Sequence, residues 1–144
     1  MKKIAKYTPV TLALLLVCFI SSMAFADDSL HATANAVYGP DGMVEVTNTI
    51  EYSGDISAIA IKVDLPHGVE FQSATGDVPP AISARKGDTG LLEFAWVTPP
   101  SSPFTFKYSA LVYDKNAKGN IYASVTYRRT GAPLYADIDP INIK

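Results

Sequence analysis

The chain has 144 residues, 48% of them hydrophobic and 18% charged, with twelve basic against fourteen acidic side chains and a formal net charge of −2. That length suits one domain with a core of its own, and the absence of a basic tract offers nothing to nucleic acid or an anionic lipid surface. A single cysteine excludes a disulfide framework and any multi-thiolate metal site.

Met1 to Lys6 carries three lysines and no acid. An apolar run from Val10 to Ile20 follows, broken by Thr11 and Cys18. Ala24-Phe25-Ala26 then places small residues at the minus-three and minus-one positions that signal peptidase reads. This is a secretory signal peptide over residues 1–26, with the cut predicted between Ala26 and Asp27. The run is shorter than the about 20 apolar residues of a bilayer span, so no stable membrane insertion is expected after cleavage. Leu15-Leu16-Val17-Cys18 approaches a lipobox, but Val17 stands where Gly, Ala or Ser is required, and lipidation is not expected. Cleavage removes three of the twelve bases and none of the fourteen acids, leaving nine against fourteen and a net charge of −5 over residues 27–144. Cys18 leaves with the peptide.

In the remainder, period-two alternation predicts strand after strand. Ala32, Ala34, Ala36 and Tyr38 make a first strand, closed by Gly39-Pro40-Asp41-Gly42. Val44, Val46, Ile50 and Tyr52 share one face of the next, with Glu45, Thr47, Thr49 and Glu51 on the other. Ile59, Ile61, Val63 and Leu65 alternate with Ala58, Ala60, Lys62 and Asp64, and Pro66-His67-Gly68 supplies a turn before Val69 and Phe71. Leu92, Phe94 and Trp96 come next, then a corner at Pro99, Pro100 and Pro103, because proline cannot donate to a ladder. Phe104, Phe106, Tyr108, Ala110 and Val112 follow. Asp114 to Asn120 reads as a hairpin connection to Ile121, Ala123, Val125 and Tyr127. After Gly131-Ala132-Pro133, a last segment carries Leu134, Ala136, Ile138, Ile141 and Ile143. Seven to nine short strands with no helical stripe predict an all-β, Ig-like two-sheet antiparallel β-sandwich, with a closed barrel as the alternative.

Chemistry-bearing patterns fail on inspection. Asp88-Thr89-Gly90 is the aspartic-protease triplet, but Arg85-Lys86-Gly87 precedes it where a buried shared-proton dyad needs apolar residues; it reads as a solvated turn. Asp114-Lys115-Asn116-Ala117-Lys118-Gly119 opens like an EF-hand loop, yet Lys118 occupies a ligand position and Val125 stands where a bidentate glutamate belongs. His31 and His67 have no spacing for a shared metal or a nucleophile relay. Asp64, Glu70 and Glu93 sit on polar strand faces, where solvated carboxylates are routine. No nucleophile elbow or phosphate loop is present. The expectation is a protein that is not an enzyme and that uses no cofactor or metal.

Aromatic residues are the remaining candidates. Trp96, in phase with Leu92 and Phe94, is a predicted core anchor. Tyr113 and Tyr122 are out of phase with the inward residues and flank the predicted hairpin. This places them on an outer face beside Lys107, Ser124, Thr126 and Arg128. Exposed tyrosine suits stacking on a sugar or meeting a protein, so Tyr113, Tyr122, Lys107 and Arg128 form the candidate binding surface.

The run from Ser57 to Gly76, with Leu65-Pro66-His67-Gly68-Val69-Glu70-Phe71-Gln72-Ser73-Ala74 at its centre, resembles bacterial extracellular Ig-like modules, cohesin-like domains in particular. Thr98-Pro99-Pro100-Ser101-Ser102-Pro103-Phe104-Thr105-Phe106 is similar to the same modules, and the likeness spans about Met43 to Ile143. It is a resemblance of fold, and no partner-contacting residue carries over. It implies non-covalent recognition of a protein or polysaccharide at or outside the cell envelope, in the periplasm or beyond. The competing expectation is a structural subunit, fimbrial or part of a surface complex, that joins partners by β-strand addition at an exposed edge.

Overall fold

A computed structural model describes residues 29–143. The predicted signal peptide and its cleavage site lie outside the described residues. Eight strands form the fold: β1 (Leu30–Tyr38), β2 (Met43–Tyr52), β3 (Ala58–Asp64), β4 (Val69–Gly76), β5 (Leu91–Trp96), β6 (Phe104–Val112), β7 (Gly119–Arg128) and β8 (Leu134–Ile143). They pair antiparallel in two four-stranded sheets, ordered β1-β2-β6-β4 and β5-β3-β7-β8. The first matches the A-B-E-D order of an Ig sandwich, and β3-β7-β8 matches C-F-G with β5 added beside β3. The architecture is a sandwich, not a closed barrel. At one seam the Tyr38 hydroxyl donates to the Asn142 carbonyl, tying β1 to β8 across the two sheets.

Alternation in the sequence becomes burial in the fold. Val44, Val46 and Ile50 of β2, Ile59, Ile61 and Val63 of β3, Leu92 and Phe94 of β5, and Phe106, Tyr108 and Ala110 of β6 all point between the sheets. Phe94 lies 4.7 Å from Phe106 and 5.5 Å from Phe71, ring centre to ring centre, and Trp96 meets Phe106 edge-on at 5.3 Å. Tilted and edge-on rings avoid face-to-face repulsion of their quadrupoles. Trp96 is the core anchor its phase predicts, and its indole N–H donates to the Val78 carbonyl at 2.9 Å. Leu134 departs from expectation: it stands exposed at the start of β8, although it pairs with the buried Tyr127.

The Asp114–Asn120 connection is not a hairpin. β6 belongs to the first sheet and β7 to the second, so this loop crosses the sandwich. It docks on the β3–β4 crossing, where the Gly68 carbonyl accepts from the backbone N–H of Tyr113 at 3.0 Å and of Asp114 at 3.3 Å. Gly68 is required there. Its φ is +87°, and a Cβ would come within 2.8 Å of the Asp114 Cβ and 2.9 Å of the Ala117 Cβ.

Candidate binding surface

The two sheets turn unlike faces to solvent. The outer face of the first sheet is hydroxyl-rich and charged. In register across β1, β2 and β6 stand Thr33, Thr49 and Thr105, then Asn35, Thr47 and Lys107. Ser73 and Ser109 share a 2.7 Å hydrogen bond. Val37 is the large apolar side chain most exposed on that face among the described residues.

The outer face of the second sheet is apolar in patches. Leu91 is 70% exposed, Tyr135 69%, Tyr122 55%, and Val97, just past β5, 78%. Strand pairing lays these out in rows: Leu91, Asp64 and Tyr122; then Glu93, Lys62, Ser124 and Asp137; then Ala95, Ala60, Thr126 and Tyr135. Toward the far end of the sheet, Ala58, Ala60 and Ala95 floor a shallow open trough, flanked by Ile82 and Val97 on one side and by Arg128 and Pro133 on the other. Ile82 is held there because its backbone bridges Ala95, with N–H to carbonyl distances of 3.1 and 3.0 Å. A second shallow depression collects Lys62, Asp64, Leu91, Tyr122, Asp137 and Pro140. The Tyr122 hydroxyl accepts from Asn120 Nδ2 at 3.3 Å, and Asn120 Oδ1 in turn accepts from Asn142 Nδ2 at 2.9 Å. This relay leaves the tyrosine's own proton available for donation.

Of the four residues singled out in the sequence, this face holds two. Tyr122 and Arg128 both lie on β7, although Arg128 is near the opposite end from Tyr122. Tyr113 is exposed, as its phase predicts, but it sits at the end of the first sheet in a hollow with Tyr38, Asp41 and Lys115. Lys107 faces outward from the first sheet, 3.7 Å from Glu45. Treating the 114–120 loop as a hairpin would have put Tyr113 and Tyr122 on one surface, and the sheet crossing separates them. Leu91, Val97, Ile82 and Tyr135 went unassigned. Leu91, Val97 and Tyr135 carry a signal as large apolar residues out of phase with their inward neighbours, whereas Ile82 lies outside every predicted strand, and nothing local says that the four share a face.

The rejected motifs have local roles. Asp88 Oδ2 accepts the Arg85 backbone N–H at 2.7 Å, and the Asp88 carbonyl accepts from Phe71, so the carboxylate closes its own turn beside β4. Asp114 Oδ1 accepts from the Asn116 N–H at 2.8 Å, closing a local turn. Glu70 faces out from the first sheet, whereas Asp64 and Glu93 belong to the second. Among the described residues no three His, Cys, Asp or Glu side chains gather as a metal site, and no helix is long and apolar enough to cross a membrane.

No protein family and no curated protein matches the chain. Solved structures do show a likeness. The chitin-binding domain of a chitinase from Pyrococcus furiosus is 17% identical over 67% of this chain and 87% of that one, with a TM-score of 0.48. BslA, a bacterial hydrophobin, is 14% identical over 81% and 94%, with a TM-score of 0.49. The C-terminal domain of the Streptococcus agalactiae AgI/II polypeptide BspA is 13% identical over 80% and 49%, with a TM-score of 0.43.

Proposed function

We propose that this chain is an exported, non-enzymatic binding module that recognises a protein or glycan at or outside the cell envelope through the outer face of its second sheet. The contrast between the two outer faces carries the reading. Scattered exposed apolar residues need no explanation, but Ile82, Leu91, Val97, Tyr122 and Tyr135 gathered on one sheet do. Tyr122 and Arg128 are then contact residues, while Tyr113 and Lys107 lie outside the surface. The cohesin-like resemblance supports non-covalent recognition, and the signal sequence supports export with cleavage after Ala26. Retention of the protein on envelope preparations of the producing cell tests the face. Ile82→Lys with Val97→Lys is expected to abolish it, and Thr47→Lys on the opposite face to leave it unchanged. Equal retention of both variants would refute the assignment.

One observation favours assembly by strand addition as a second reading. Three sheet edges are obstructed: Gly87 and Asp88 bond to Phe71 of β4, Ala81 and Ile82 bond to Ala95 of β5, and β8 carries Pro140. β1 keeps unbroken register with β2 over nine residues and carries no Lys, Arg, Asp, Glu or Pro. If β1 recruits a strand from a second copy, sedimentation will show concentration-dependent association that Asn35→Lys reduces. A protein that stays monomeric at all concentrations counts against it.

A further inference from the structure

We infer that the outer face of the second sheet takes a neutral, extended polysaccharide, laid along β7 and β8 from Tyr122 to Tyr135. This rests on the reading of that face as the recognition surface and adds the class of its ligand.

Spacing is the first argument. Tyr135 pairs with Thr126, four residues along β7 from Tyr122 and one strand over, which separates the two tyrosines by about 14 Å at 3.3 Å per residue and 4.8 Å per strand. That is longer than one sugar ring and suits a short run of a chain. Between the two tyrosines, Ser124 and Asp137 pair in register and face the same way. The track therefore reads aromatic, hydrogen-bonding, aromatic. Rings stack on the C–H faces of sugars, while the hydroxyl and carboxylate meet sugar hydroxyls. Tyr122 accepts from Asn120, so its own hydroxyl proton is free to donate to the chain.

Charge is the second argument. Asp64, Glu93, Asp137 and Asp139 lie on this side of the second sheet against Lys62 and Arg128, so a polyanion meets net repulsion. A protein partner is disfavoured for a related reason. At the Tyr122 end of the face apolar positions sit among charged ones, as in Leu91-Asp64-Tyr122 beside Glu93-Lys62-Ser124-Asp137. Drying such a face under a protein strands carboxylates without partners, while protein interfaces deplete charge at their centres. A polysaccharide leaves those carboxylates wet or hydrogen-bonded. Relief is the third argument, because alanines at positions 58, 60 and 95 keep the neighbouring surface low and open, which fits a chain lying across it better than a single enclosed ring.

Depletion of the exported protein from solution by microcrystalline cellulose, by chitin and by calcium alginate tests the inference. We expect binding to at least one of the two neutral solids and none to alginate. Tyr122→Ala and Tyr135→Ala should each weaken that binding about tenfold, and Tyr113→Ala should change it less than twofold, all with unchanged melting temperature. Binding to neither neutral solid, or preference for alginate, overturns the ligand class. If the lysine variants of this face still abolish envelope retention in that case, the face stands and its partner is a protein. Binding to a neutral solid that both tyrosine variants leave intact, with envelope retention insensitive to the lysine variants, overturns the face as well.

Discussion

Two polar groups inside the core show what alternation reveals and what it hides. Tyr108 falls in the inward phase of β6 and is buried as its position requires, yet its hydroxyl has no hydrogen-bond partner. Asn48 occupies the inward position between Val46 and Ile50, where the pattern left a gap. Its Nδ2 donates to the Phe106 carbonyl at 3.2 Å, while Oδ1 is unpartnered. Composition alone would have put an asparagine outside; the backbone period places it inside. Burial holds the Tyr108 phenol well above its ordinary range, since desolvation penalises the phenolate. The folded state therefore keeps the proton where the unfolded chain releases it. Stability is full below the unfolded-state value of about 10 and falls as pH rises past it. We expect Tyr108→Phe to change unfolding free energy by no more than about 1 kcal/mol at neutral pH, because no hydrogen bond is lost. The variant should also lose less stability than the parent between about pH 10 and 11. Urea unfolding at the two pH values checks both.

At the scale of elements, strand existence and inward phase were legible because hydrophobic residues recur with a period of two. Irregularities were not. β8 opposes β7 with one extra residue between the Ile121–Ile141 and Ala123–Ile138 pairs, a bulge at Asp139-Pro140. It explains why the segment's apolar residues run at 134, 136 and 138 and then resume at 141 and 143: the extra residue resets the phase, and Ile138, Ile141 and Ile143 all face the core. β4 does the same between Phe71 and Ser73, returning Ala74 to the core side. Deleting Asp139 removes the extra residue and leaves Ile138, Pro140 and Ile141 in plain alternation, so Ile141 and Ile143 keep facing the core. The deletion should therefore cost less than about 1.5 kcal/mol, the low end for losing the burial of one isoleucine. Asp139→Asn keeps the bulge and should stay within about 0.5 kcal/mol of the parent. A loss of about 3 kcal/mol or more on deletion, measured by urea unfolding, would show that both isoleucines had left the core and that the extra residue is not what resets the phase.

For the whole molecule, what local pattern leaves open is which strands share a sheet. Pro66-His67-Gly68, the 97–103 corner and the 113–118 loop read alike as turns, and all three carry the chain from one sheet to the other. Only the assembled order separates Tyr113 from Tyr122 and brings Leu91, on β5, to within two strands of Tyr122 on β7. The candidate surface was thus half legible, as individual exposed tyrosines and an exposed arginine, and half a property of the sheet order. Oxidative footprinting of the protein, free and mixed with the envelope preparation used to test its retention, tests that surface most directly. Tyr122, Tyr135 and Leu91 should become protected on binding while Tyr113 and Val37 stay as reactive as in the free protein. Protection of Val37 or Tyr113 with the second sheet's side chains unchanged would contradict it.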